Sequence, residues 1–350
     1  MLIVMNPHAT PQQLEAVCER VQALGFRAHV VGGARCTAIG VTGNSGEVSP
    51  APFEELPGVS EVVRVTRPYK LVSREFHPDN TVLRFPNSAT IGGRELAVIA
   101  GPCSVESREQ IFTIAEHLVS RGVRFLRGGA FKPRTSPYSF QGLGEEGLKL
   151  LAEVRDRFGL LIVTEAMDES SLRLVERYAD VIQVGSRNMQ NYSLLKLVGR
   201  SRKPVLLKRG MSATLEEYLL AAEYILNEGN FEVLFCERGV RTFTDHSRNT
   251  MDLSVIPAVQ QVSHLPIIAD PSHGTGRRDR VLPLSRAAVA VGADGLIIEV
   301  HNAPDQALSD GAQSLSLPEF DRLLEEIRQI APVVQRSVSS DVTANAAVAR

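Results

Sequence analysis

From residue 95 onward the chain repeats a single rhythm, an apolar run of strand length followed by a stretch with helical spacing. The runs are LAVIA, RFLRG, LLIVTEA, VIQVG, PVLLKRG, EVLFCERG, PIIADPS and GLIIEV. Between them lie amphipathic segments such as SREQIFTIAEHLVSRG, EEGLKLLAEVRDRFG and TLEEYLLAAEYILNEG, and RDRVLPLSRAAVAVGA takes the seventh helical place. Near-continuous apolar strands suit a parallel sheet covered on both faces. Eight such units over residues 95–335 predict an α/β fold, a (β/α)8 (TIM) barrel. A doubly wound sheet would bury similar strands, but it does not need eight evenly spaced units.

Residues 1–66 read as a separate small unit. MLIVM, RAHVVGG, CTAIGVTG and EVVRVTR have strand character, PQQLEAVCERVQALG is a helix ending at Gly25, and a short helix falls near APFEELPG. The order β-α-β-β-α-β predicts a ferredoxin-like α+β sandwich. Residues 67–94 read as a linker with short strands, and the aperiodic residues 336–350 as a disordered tail.

A net charge of −2 gives no reason to expect a nucleic-acid partner. The apolar runs are too short to span a bilayer, and MLIVMNPHATPQQ has neither a basic n-region nor a cleavage site. Four cysteines, at 18, 36, 103 and 236, form no disulfide framework and no CxxC pair. The expectation is a cytoplasmic protein with reduced thiols and no membrane partner.

Active sites of such barrels gather at the C-terminal strand ends. Taken in order, those ends offer Cys103, Arg127 (with Lys132 and Arg134 in the loop beyond), Glu165, Arg187, Lys208, Arg238, Asp270 with His273, and Glu299 with Asp310. Cys103, His273, Glu299 and Asp310 supply a thiolate, an imidazole and two carboxylates. That set suits Mn, Fe, Co or Zn rather than Mg, because one donor is soft sulfur. Taken singly, Cys103 is equally a small buried hydrophobe and His273 a turn residue. Arg127, Lys132, Arg134, Arg187, Lys208 and Arg238 form a second set. Six converging cations with few acids between them point to phosphate and carboxylate recognition, hence to small phosphorylated acids or sugars.

GPCSVES, KPRTSPYSFQG, TEAMD, QVGSRNMQN, LLKRGM, CERGVRTF, DPSHGTG and EVHNAP together resemble the 3-deoxy-D-arabino-heptulosonate 7-phosphate (DAHP) synthases, type I beta subclass. The resemblance spans residues 1 to about 335. It implies condensation of phosphoenolpyruvate with erythrose 4-phosphate at the head of the shikimate pathway. Cys103, His273, Glu299 and Asp310 are then expected to be ligands of a divalent metal. Arg127, Lys132, Arg187, Lys208 and Arg238, with the backbone of Gly185 and Ser186, are expected to hold phosphoenolpyruvate. Arg134 and Thr135 are expected to contact erythrose 4-phosphate. Lys132 is the candidate general acid and Glu165 a candidate for handling the added water. The resemblance further implies a homo-oligomer, a tetramer, and a tyrosine or phenylalanine effector acting through the front unit. Two rivals are 3-deoxy-D-manno-octulosonate 8-phosphate synthase, which shares the barrel and cradle but is expected to carry a different loop at KPRTS, and a non-catalytic amino-acid-sensing protein. The complete metal and anion sets argue against the latter. A fused chorismate mutase would need an all-helical segment that residues 1–66 lack.

Overall fold

The computed structural model describes residues 1–32, 37–44, 48–63, 68–132, 136 and 138–339. The front unit contains β1 (Leu2–Met5), α1 (Pro11–Ala23), β2 (Arg27–Gly32), β3 (Thr37–Thr42), α2 (Ala51–Glu54) and β4 (Val59–Val63). Its sheet has the order β2-β3-β1-β4 and every pairing is antiparallel. α1 begins where Thr10 and Gln13 cap each other reciprocally, with Pro11 in the first turn. Met1, Ile3, Met5, Val17, Val21, Ile39, Val41 and Phe53 form this unit's own core.

Residues 68–94 hold the hairpin β5 (Leu83–Arg84) and β6 (Thr90–Ile91). The barrel follows: β7 (Ala97–Gly101), α3 (Arg108–Ser120), β8 (Phe125–Arg127), α4 (Glu145–Phe158), β9 (Leu161–Ala166), α5 (Glu169–Tyr178), β10 (Val181–Val184), α6 (Tyr192–Arg200), β11 (Val205–Lys208), α7 (Leu215–Leu226), β12 (Val233–Glu237), α8 (Val255–Val262), β13 (Ile267–Ala269), α9 (Pro271–Thr275), α10 (Arg278–Ala290), β14 (Gly295–Glu299) and α11 (Leu317–Ile330). All eight strands pair in parallel, and β14 closes onto β7 in a register that sets Glu299 beside Gly101.

Alternation along the strands sorts the side chains. Val98, Leu126, Ile162, Ile182, Leu207, Phe235, Leu296 and Ile298 pack outward against the helices. Ile99, Phe125, Leu161, Val163, Leu206, Leu234, Ile268 and Ile297 fill the interior, joined by Leu83, Phe85, Ala89 and Ile91 of the hairpin. Phe85 meets Phe125, the first residue of β8, edge-on at 5.0 Å. The hairpin therefore stoppers the N-terminal end of the barrel.

The front unit and the segment just after it meet α7 and its C-terminal end. Glu223 accepts the N–H groups of Lys70, Leu71 and Val72 at 3.0, 2.9 and 3.0 Å, and Thr42 donates to Asn227 at 3.1 Å. Gly40 of β3 lies under Phe76, whose ring would come within 2.6 Å of a Cβ there.

Candidate active site

Seven of the eight interior columns end in a polar residue two positions beyond an apolar one, β7 with Ile99 and Gly101 being the exception: Phe125 and Arg127, Val163 and Glu165, Val181 and Gln183, Leu206 and Lys208, Cys236 and Arg238, Ile268 and Asp270, Ile297 and Glu299. The same alternation that fills the core thus aims seven polar side chains into the mouth. There Arg127, Glu165, Gln183, Lys208 and Arg238 border a cavity of about 390 Å³, while Asp270 and Glu299 pair with Lys208 and Arg127. Among the described residues its lining includes seven cations (Arg127, Lys132, Arg187, Lys208, Arg238, Arg241 and Arg248) against two acids, Glu165 and Asp310. Gly185 and Ser186, expected to help hold phosphoenolpyruvate, also border it.

Among the described residues, Arg127 and Lys208 of the expected cations have buried acidic partners, so the set is less unbalanced than the sequence suggests. Arg127 Nη1 lies 2.5 Å from Glu299 Oε1, and Lys208 Nζ lies 2.6 Å from Asp270 Oδ2. Arg127 retains a buried Nε with no hydrogen-bond partner. Burial lowers the Arg238 guanidinium from its ordinary value, against the opposing pull of Asp270. Glu165 accepts from Gln183 Nε2 at 3.0 Å, and a Cβ at residue 185 would collide with its carboxylate at 2.1 Å. Only glycine at 185 leaves Glu165 that position.

At one side of the cavity stands the thiol and carboxylate cluster. Single donor atoms of Cys103, Glu299 and Asp310 all lie within 4.8 Å of one another. Cys103 donates to Asp310 Oδ2 at 3.1 Å, and Lys132 Nζ donates to the Cys103 sulfur at 3.1 Å. His273 Nε2 lies 3.4 Å from Glu299 Oε1. Its Nδ1 comes within 2.8 Å of Asp270 Oδ2 without reaching hydrogen-bond geometry. Lys132 doubles back over Gly129, where a Cβ would meet its Nζ at 2.5 Å.

Burial, then Glu299, pushes the Cys103 thiol up to about 11, with Lys132 opposing. Burial also opposes the ionisation of Glu299, but the His273 and Arg127 charges outweigh it and hold the carboxyl below its usual value. Asp310 is lowered in the same way, burial being outweighed by His273 and by the Cys103 hydrogen bond. Asp270 lies well below the carboxylate range, since His273 and Lys208 overcome a large burial penalty. Soft sulfur, imidazole and two ionised carboxylates in a nearly dry pocket fit a divalent transition metal, which would discharge the repulsion among them.

Arg134 and Thr135 lie outside the described residues. Sequence reasoning passed over Gln183, Arg241, Arg248 and Asn249, all of which border the cavity, and gave Asp270 no part in either set. Gln183 and Asp270 were within reach of the two-residue alternation. The other three sit in the 17-residue connection 238–254 between β12 and α8, where periodicity offers no guide.

Such a barrel, with a cation-lined mouth beside a cluster of metal-ligating side-chain types, defines an enzyme of small, multiply anionic substrates. Comparison with known proteins narrows the class. The DAHP synthetase I family model matches residues 80–336, and the DAHP synthase ferredoxin-like domain matches residues 1–67. The chain belongs to the DAHP synthetase I family. It is 51% identical over 331 residues to phospho-2-dehydro-3-deoxyheptonate aldolase of Thermotoga maritima, covering 95% of this chain and 98% of that one. A crystal structure of the Thermotoga maritima DAHP synthase superposes with a TM-score of 0.77 at 50% identity, over 97% of this chain and 99% of that one. A 2-dehydro-3-deoxyphosphooctonate aldolase of Syntrophobacter fumaroxidans is 34% identical over 264 residues, 70% of this chain and 91% of its own. Among the described residues, no helix is long and apolar enough to cross a membrane.

Proposed function

We propose that this enzyme condenses phosphoenolpyruvate with erythrose 4-phosphate and water, giving DAHP and phosphate as the first step of the shikimate pathway. The observation that carries the reading is the contact of Lys132 with Cys103, which joins the cation-lined cavity to the thiol and carboxylate cluster. Arg127, Lys132, Arg187, Lys208 and Arg238 hold the carboxylate and phosphate of phosphoenolpyruvate, with the backbone of Gly185 and Ser186 assisting. Arg134 and Thr135 take erythrose 4-phosphate. Cys103, His273, Glu299 and Asp310 hold a divalent ion (Mn, Fe, Co or Zn). That ion supplies Lewis acidity toward the aldehyde carbonyl.

A carbon–carbon bond forms between C3 of phosphoenolpyruvate and C1 of the aldehyde. Lys132, at the junction of the two regions, delivers a proton to the aldehyde oxygen. Glu165, held by Gln183, takes a proton from the water that adds at C2. Phosphate then departs with cleavage of its carbon–oxygen bond. The surrounding guanidinium groups stabilise the charge on the departing phosphate without reorganising.

Residues 1–66 form a regulatory unit that takes tyrosine or phenylalanine, residues 67–94 a linker and residues 95–335 the catalytic body of a cytoplasmic tetramer. Deleting residues 1–66 and finding end-product inhibition unchanged would refute the regulatory part. For the reaction itself, phosphoenolpyruvate consumption is measured with erythrose 4-phosphate or arabinose 5-phosphate, each with and without EDTA. Turnover with erythrose 4-phosphate alone, lost with EDTA, is expected. Preference for arabinose 5-phosphate would instead align the chain with its octonate-forming relatives.

A further inference from the structure

The motif GPCSVES supplies more than the thiol. Asp310 reaches Cys103 from the connection 300–316 between β14 and α11, 207 residues away along the chain. Its backbone is left-handed, with φ of 51°, a conformation uncommon for a non-glycine residue though better tolerated by aspartate than by most, and here the surroundings hold it. Packing alone does not do so: the neighbouring Leu308 side chain is 57% exposed. The enforcement is polar, and much of it comes from the turn after β7.

Glu106 uses both carboxylate oxygens on this one connection. Oε1 accepts the Leu308 N–H at 2.8 Å, two residues before Asp310, and Oε2 lies 3.3 Å from His301 Nε2. The Ala303 N–H donates to His301 Nδ1 at 2.9 Å. Nδ1 is thereby an acceptor, so Nε2 carries the proton and donates to Glu106. Ser104 and Ser309 meet at 2.5 Å between their hydroxyls, immediately beside Cys103 and Asp310. Gln110 braces the turn, accepting from the Glu106 N–H at 3.1 Å and donating to the Ser104 carbonyl at 3.0 Å.

We propose that Glu106 is a positioning residue that assembles the metal site by pinning the Asp310 connection to the end of β7. The proposal rests on the reading of Cys103, His273, Glu299 and Asp310 as ligands. Glu106 touches neither substrate nor ligand donor atoms; it acts through the backbone at Leu308 and the ring of His301. Loss of such an outer partner lowers metal affinity by about 10–100-fold, while the phosphoenolpyruvate cradle, on other strands, is left in place.

The test uses the full-length chain as wild type, Glu106→Ala, Glu106→Gln and Cys103→Ser. In metal-free protein, amide hydrogen exchange is followed over residues 302–315. Co²⁺ is then titrated calorimetrically and by its thiolate charge-transfer band, and phosphoenolpyruvate affinity is measured separately. For Glu106→Ala we expect exchange in 302–315 at least about tenfold faster and Co²⁺ affinity down about 10–100-fold. Phosphoenolpyruvate affinity stays within about twofold. Glu106→Gln falls between, because its amide oxygen still accepts from Leu308. Wild-type exchange and wild-type Co²⁺ affinity in both variants would overturn the positioning role, with the ligand reading intact. Should Glu106→Ala unfold, Glu106→Gln decides: a partial loss confined to 302–315 upholds the proposal, and wild-type behaviour sinks it. If wild type gives no thiolate band and Cys103→Ser binds Co²⁺ equally well, the ligand reading fails and takes the proposal with it.

Discussion

At its N-terminal end the barrel is closed by carbon: Leu83, Phe85, Ala89 and Ile91 of the hairpin sit against Ala97, Phe125, Leu161 and Val181. A few residues further along, the interior positions of β8, β9, β10 and β11 are Arg127, Glu165, Gln183 and Lys208. On β8 the transition takes two residues, from Phe125 to Arg127. The lower end gains free energy by removing apolar surface from water. The upper end expends it, since Arg127, Lys208, Glu299 and Asp270 are held almost dry. Stability and chemistry are therefore separable by depth along one barrel axis, and substitutions at the two ends should have opposite signatures.

The sharpest test pairs one residue from each end. Lys132→Ala should lower kcat by up to about 10⁴-fold, the range of a general acid. Its folding free energy should move by less than about 1 kcal/mol, because Lys132 stands among like charges. Phe85→Ala should do the reverse. Emptying the space against Phe125 should cost about 3–5 kcal/mol, while kcat/KM per folded molecule stays unchanged. Chemical denaturation and steady-state kinetics on the same two variants read both axes. Equal loss of activity in Phe85→Ala at a temperature where it is folded would break the separation by depth.

A smaller effect comes from the lower rim. His264 is buried between Thr81 Oγ1 at 2.6 Å and the Leu71 carbonyl at 2.8 Å. Burial is the main cause that lowers it to about 4 from an ordinary 6.5, the Leu71 hydrogen bond opposing. Between these values the unfolded chain binds the proton and the folded one does not. Stability is therefore fully present above pH 6.5 and falls as pH drops toward 4, by about 3 kcal/mol across the window. His264→Gln retains an acceptor and a donor but does not titrate, so its unfolding free energy should fall less steeply over that range. A variant with the wild-type slope would show that the lower rim does not set this acid sensitivity.

How much of this was legible beforehand follows the same division. The strand runs and helix caps carry local signals, so the barrel and the ferredoxin-like order of the front unit could be read directly. The polar ends of the strands were conspicuous because a charge at an interior position is costly unless it has a task. Arg241, Arg248 and Asn249 escaped because residues 238–254 follow no period. The grip of Glu223 on three consecutive amides, those of Lys70, Leu71 and Val72, escaped as well. A glutamate on an amphipathic helix looks solvent-facing until its partner, more than 150 residues away, is placed.

The upper rim offers the counterpart to His264, with the opposite sign. Cys103 is held up at about 11, chiefly by burial and then by Glu299. Below that value the metal-free protein carries the thiol, which donates to Asp310. A metal binds the thiolate, so binding must expel this proton. Apparent affinity for a divalent ion should then rise about tenfold, or about 1.4 kcal/mol, for each pH unit between 7 and 9. The two carboxylates, already low, add little slope there. Calorimetric titration with Co²⁺ in buffers of different ionisation enthalpy should count close to one proton released at pH 7.5. The Cys103→Ser variant should bind more weakly and release none. Proton release that persists in that variant would assign the linkage to another group. The two rims would then differ in polarity but not in the pH extreme to which each responds.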